Sequence, residues 1–247
     1  MKAIHFFSLF ILVFLSFSCE DCDPIEMEVC GGPLGDPKVD LIVLIDASGS
    51  MGVVANTIDM AAQMAVQAAL DTCPTDLNVT YLGVDGSWAG TVFNDSHRNY
   101  IYAAQGTIPL AADAPHVGLP QEQGANAIED LSNYAPWREN ACRAIFYISD
   151  EELDSISPAG DFANEDAVTA AAITAAQANG VTVFTHYITQ QGRAPQILQN
   201  YNDLTAQTGG FNLTTPTYAA VDQQLYLDLM PQIVCNSCQG CELAIFE

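Results

Sequence analysis

Asp46, Ser48 and Ser50 alternate with the small residues Ala47 and Gly49, so one carboxylate and two hydroxyls are presented close together. Such a set can converge on a hard cation, which takes oxygen ligands. A second acidic group starts at Asp150 and continues through Glu151, Glu152 and Asp154. The same serines also raise the question of nucleophilic catalysis, because His97, His116 and His186 are present. The local reading, however, is Ser48-Gly49-Ser50-Met51-Gly52, and the Gly-x-Ser-x-Gly turn of serine hydrolases is absent. His186 lies near the end of a predicted strand, where a lone histidine is more often a hydrogen-bonded packing residue than one member of a triad. A Gly-x-x-x-x-Gly-Lys phosphate loop is also absent.

These residues need a scaffold, and the hydrophobic pattern supplies one. Asp40 to Ile45 is a short apolar run, the composition of a strand buried on both faces, and it ends in Asp46. Arg143 to Ser149 is a second such run and ends in Asp150. Val54 to Asp71 reads as a helix with Ile58, Ala62, Ala65, Val66 and Ala69 on one face, stopped by Pro74. Further strands are expected at Leu77 to Val84, Val181 to Tyr187 and Phe211 to Leu213. Further helices are expected at Asn164 to Asn179, Ala194 to Thr208 and Tyr218 to Val234, with Gly180 and Gly209 as stops. Asn99 to Pro120 has no clean period and reads as loop with a short helix. Repeated strand–helix units predict an α/β fold with a mostly parallel sheet covered on both faces. In such sheets, ligands bind off the carboxyl ends of the strands, which is where Asp46 and Asp150 fall.

The apolar strand, Asp-x-Ser-x-Ser, Met51-Gly52 and the later elements together resemble the von Willebrand factor A domain, whose metal-ion-dependent adhesion site is also found in integrin I domains. The resemblance covers roughly Val39 to Val234. It implies a three-layer α/β/α Rossmann-like fold, mostly parallel with one antiparallel edge strand, and Trp88 with Thr91 to Phe93 is the segment expected to form that strand. Trp88 itself is read either as facing a ligand or, more in keeping with a large aromatic, as covering the sheet. The resemblance also implies a metal site built from Asp46, Ser48 and Ser50, with Asp150 supporting the hydroxyls from behind. Counting back from Ala127-Ile128, Glu122 stands where the family carries a threonine ligand. A carboxylate there would partly neutralise the ion, tighten metal holding and weaken attraction for an acidic partner. The other reading of Glu122 is a solvated loop residue. Glu151, Glu152 and Asp154 read as rim charges or a solvated helix cap. Magnesium is the ion that the resemblance implies first, and the extra carboxylate makes calcium credible.

Thirty acidic residues stand against six basic ones, for a formal net charge of −24. Nucleic-acid binding needs Lys and Arg to displace phosphate counterions, and anionic lipid surfaces need the same residues; both partners are disfavoured. The acidity reads as a cation-attracting field or simply as solubility in a salty medium. Residues 1–18 carry Lys2, the apolar run Phe6 to Phe17 and the small residues Ser16 and Ser18, the pattern of a signal peptide. Cys19 follows directly and resembles the lipidated cysteine of bacterial lipoproteins, with plain secretion as the alternative. Either route implies an oxidising compartment for the eight cysteines. Residues 19–37 form the expected tether, 38–234 the domain and 235–247 a Cys-rich tail. The resemblance places both termini at the end of the sheet away from the metal. On that basis the N-terminal cysteines Cys19, Cys22 and Cys30 are expected to staple to the tail cysteines Cys235, Cys238 and Cys241, and Cys73 to pair with Cys142. A zinc site in the tail is the minor alternative, weakened by the lack of nearby histidines.

The expected function is therefore a non-enzymatic binding or adhesion module, dependent on Mg2+ or Ca2+, secreted or held at the cell envelope. Its expected partner is a protein that engages the metal, and any membrane attachment is through a lipid on Cys19. The first alternative is a structural module in which the ion only stiffens the loops. The second is a serine hydrolase.

Overall fold

The computed structural model describes residues 36–106, 122–154, 162–189 and 194–238. The signal-peptide and lipidation expectations lie outside these residues, as do Cys19, Cys22, Cys30, His116, Arg193 and Cys241. Five strands form one sheet: β1 (Lys38–Ile45), β2 (Asp76–Gly83), β3 (Ala141–Ser149), β4 (Val181–Ile188) and β5 (Asn212–Thr215). Their order across the sheet is β2-β1-β3-β4-β5, and every pairing is parallel. Six helices connect and follow them: α1 (Gly52–Thr72), α2 (His97–Gln105), α3 (Gly124–Tyr134), α4 (Phe162–Ala178), α5 (Pro195–Thr208) and α6 (Gln223–Asn236).

The period-two pattern of the strands splits the core in two. Val39, Leu41, Val43 and Ile45 of β1 face α1 and α6, together with Ala144, Phe146 and Ile148 of β3. Ile42 and Leu44 of β1 face the other way, with Ile145 and Tyr147 of β3 and Val183 of β4, under α3, α4 and α5. The sheet is thus covered on both faces, as apolar parallel strands require. Gly180 and Gly209 follow their helices at φ +61° and +85°, a left-handed conformation that ends a helix at little cost for glycine. Among the described residues, no helix is long and apolar enough to cross a membrane.

Three expectations are corrected. No antiparallel edge strand is found among the described residues, and β2 is the sheet edge on that side. The Trp88 amide instead donates to the Phe93 carbonyl (2.7 Å) and the Val92 amide to Asp59 of α1 (2.8 Å), so the segment closes on itself as a turn. The Trp88 ring packs over Gly52 at the start of α1 and against the core. Cys73 does not pair with Cys142, nor Cys235 and Cys238 with the N-terminal cysteines: among the described residues the disulfides are Cys73–Cys235 and Cys142–Cys238, with Cα separations of 5.6 and 5.2 Å. Packing of α6 against α1 carries the tail cysteines to the strand-start end, where each meets a different element. Finally, Tyr218 to Val234 is not one helix. Tyr218–Ala220 is a separate 3-10 turn, and Asp222 caps α6 by accepting from the Leu225 amide (2.9 Å). α6 then runs through Cys235, so the helix extends into the segment expected to be tail.

Candidate functional site

The chain leaves β1 towards β2 on one side and returns to place β3 on the other side of β1. The loops leaving β1 and β3 therefore part in opposite directions, which opens a crevice at their carboxyl ends. Asp46 and Asp150 are the residues immediately after these two strands, and both are fully buried. Asp46 is fixed at its backbone, donating its amide to the Ile148 carbonyl of β3 (2.9 Å).

The side chains form one connected network. The Ser48 amide donates to Asp46 Oδ1 (2.7 Å), and the Ser149 hydroxyl donates to Asp46 Oδ2 (2.8 Å). The Ser50 hydroxyl donates to Asp150 Oδ1 (3.0 Å) and lies 2.9 Å from the Ser48 hydroxyl. Ser50 has one proton, and Asp150 takes it; the Ser48 hydroxyl is therefore the donor to Ser50. The Tyr218 hydroxyl donates to Asp150 Oδ2. The Ser50, Ser149 and Tyr218 protons thus point towards carboxylates and the Ser48 proton towards Ser50, and the serine oxygens keep lone pairs to offer elsewhere.

Burial pushes the Asp46 carboxyl up to about 6 from its usual value near 4; hydrogen bonds from Ser48 and Ser149 oppose the rise, and the nearby Asp150 adds to it. Among the described residues, the basic side chains lie elsewhere. Lys38, Arg138 and Arg143 sit at or near the strand starts, and Arg98 engages Asp85. Two buried acids side by side with their hydroxyls already used as donors form an all-oxygen, electron-rich set. That is the donor chemistry of a hard divalent cation. Among the described residues, no group of three or more His, Cys, Asp and Glu side chains gathers in metal-binding geometry, so Asp46, Glu122 and Asp150 are not drawn around one point here.

Glu122 precedes α3 and is buried, not solvated as a loop residue would be. Its turn is stitched to the segment after Asp150, because the Ala125 amide donates to the Leu153 carbonyl (3.0 Å). A Cβ at Gly124 would fall 2.3 Å from the Tyr147 ring of β3, so only glycine permits this approach. Asp154 is not a rim charge either; it is buried and accepts from the Asn164 amide.

Two members of the network escaped the sequence reading. Ser149 had a faint signal, as the one hydroxyl closing an otherwise apolar strand. Tyr218 had none, since 68 residues separate it from Asp150. Both described histidines are occupied otherwise. His186 is buried with Nδ1 3.1 Å from the Tyr226 hydroxyl and Nε2 3.0 Å from the Thr215 hydroxyl. His97 accepts the Asp85 amide at Nδ1 (3.1 Å).

No protein-family model and no curated protein sequence matches the chain. Among solved structures, it is similar to proximal thread matrix protein 1 from the mussel byssus, with TM-score 0.44 and 14% identity over 83% of this chain and 48% of that one. It is also similar to the PilB minor pilin from Streptococcus sanguinis, with TM-score 0.47 and 11% identity over 82% and 63%. The conserved hypothetical protein BatB from Bacteroides thetaiotaomicron gives TM-score 0.41 and 16% identity over 80% and 99%. The chain spans about half the length of the mussel protein.

Proposed function

We propose that this chain is a non-enzymatic binding module of the von Willebrand factor A type, dependent on Mg2+ or Ca2+ and working outside the cytoplasm. One observation carries the reading: Asp46, Ser48, Ser50 and Asp150 join in a single hydrogen-bonded network at the crevice between β1 and β3. In this reading Asp46, Ser48 and Ser50 hold the ion, Asp150 orients Ser50 from behind, and Glu122 is the remaining carboxylate on hand. The ion, when bound, would supply a Lewis-acidic point at which a partner's carboxylate can dock. The two disulfides fit an oxidising compartment, and a secreted or envelope-held location belongs to the same proposal.

A structural reading is favoured by the burial of Glu122. A third anion at the ion would satisfy it internally and leave little attraction for a partner, but Glu122 does not gather around one point with Asp46 and Asp150 here. The hydrolase reading draws no support from His186, whose two ring nitrogens are spent on Tyr226 and Thr215.

Isothermal titration with Ca2+ and Mg2+ tests the site. Saturable 1:1 binding that disappears in Asp46→Ala is expected; heats that are absent in the wild type would sink the reading. Chelator-sensitive capture of a partner then separates the binding module from the structural one.

A further inference from the structure

We infer that Tyr218 is a positioning residue of the cation site: it fixes the Asp150 carboxylate so that Asp150 holds the Ser50 hydroxyl in its ligating orientation. The inference rests on the cation-site reading above and adds a residue from a fourth loop. Tyr218 lies in the 3-10 turn between β5 and α6, and its ring is partly buried against the core on the α1/α6 face. Its hydroxyl reaches Asp150 Oδ2, while Ser50 occupies Oδ1. Each Asp150 oxygen thus has a hydroxyl donor of its own, from opposite ends of the chain. A carboxylate held at both oxygens cannot rotate about its terminal bond without losing a bond. The Ser50 proton stays on Oδ1, and the Ser50 lone pairs stay turned away from Asp150.

Without the phenol, the buried Asp150 carboxylate loses a partner at Oδ2. The carboxylate is then held less firmly, and the Ser50 hydroxyl with it. Removing groups that orient metal ligands weakens metal binding by about tenfold to a hundredfold. Tyr218→Phe keeps the ring and removes only the hydroxyl, so the packing that anchors the turn survives.

The test is a double-mutant cycle read by calorimetric titration of Ca2+ and Mg2+ into wild type, Tyr218→Phe, Asp150→Asn and the double variant. Thermal unfolding of the metal-free proteins serves as the folding control. Tyr218→Phe is expected to weaken affinity by about tenfold, and the double variant to bind no more weakly than Asp150→Asn alone. That non-additivity separates a role through Asp150 from a general structural one. Wild-type binding with an unchanged affinity in Tyr218→Phe, or losses that simply multiply in the double variant, would overturn the role of Tyr218 and leave the site standing. A wild type that binds neither ion would overturn the site itself.

Discussion

Where the strands start, the Arg138 guanidinium bonds the buried Asp40 carboxylate (2.6 Å) and the Asp76 carboxylate (2.9 Å), and its second NH2 group donates to the Val39 and Asp76 carbonyls. Both disulfides lie at the same end, on Cys73 after α1 and Cys142 at the start of β3. Where the strands finish, Asp46 and Asp150 lie close together with hydroxyls for partners and the described basic residues placed elsewhere. One end closes its charges and adds covalent bonds. The other places two buried carboxylates among hydroxyl donors. The difference locates covalent and ionic stabilisation at the strand starts and, in the proposed reading, the ligand site at the strand ends.

The largest effect should come from breaking the covalent end. Cys73 and Cys235 are 162 residues apart, so their link removes much of the freedom of the unfolded chain. Replacing both by Ser is expected to cost about 4 kcal/mol, measured by denaturant melts. Cation affinity at the far end should change little; a large loss there would show that the two ends are not separable.

Arg138→Ala leaves Asp40 buried without its counter-charge. A loss of about 3 kcal/mol is expected, with ion titration again unaffected.

A third test uses His186, on the α1/α6 side of β4. Burial lowers its pKa from 6.5 to about 4, so the folded chain holds it neutral while the unfolded chain protonates it. Its contribution is complete above pH 6.5 and is lost as pH falls through that value to about 4. The full loss is about 3 kcal/mol. Urea melts across this range should show that slope in the wild type and a shallower one in His186→Gln.

The smallest change sharpens the contrast most. Asp46 has the opposite sign: its raised pKa means that ionisation works against folding, so the metal-free chain loses stability as pH rises from about 4 to about 6. Asp46→Asn should therefore stabilise the metal-free protein at pH 7 by about 2 kcal/mol while abolishing the stabilisation conferred by added Ca2+ or Mg2+. Loss of stability in both conditions would mean that Asp46 is a structural carboxylate like Asp40.

Much of this was legible locally. Apolar runs ending in Asp46 and Asp150, Ala-rich helical periods, Pro74, Gly180 and Gly209 state where elements begin and stop, because burial and backbone sterics act over a few residues. The same local chemistry explains why Asp-x-Ser-x-Ser could be read as a turn of closely spaced oxygen atoms. Segments without a period were harder. Trp88 to Phe93 has strand-forming residues, but a hydrogen bond between its own ends turned it into a loop.

By itself, then, the sequence determined the α/β class, the aspartates that close two of the strands and the acidic composition of the chain. Only the tertiary structure decided which distant groups meet. Strand order placed β1 beside β3 and so brought Asp46 near Asp150. The packing of α6 on α1 chose Cys235 for Cys73 and Cys238 for Cys142, and the turn before α6 delivered Tyr218 to Asp150. Such pairings depend on how whole faces bury against one another, and no residue's type encodes its partner across a hundred positions of chain.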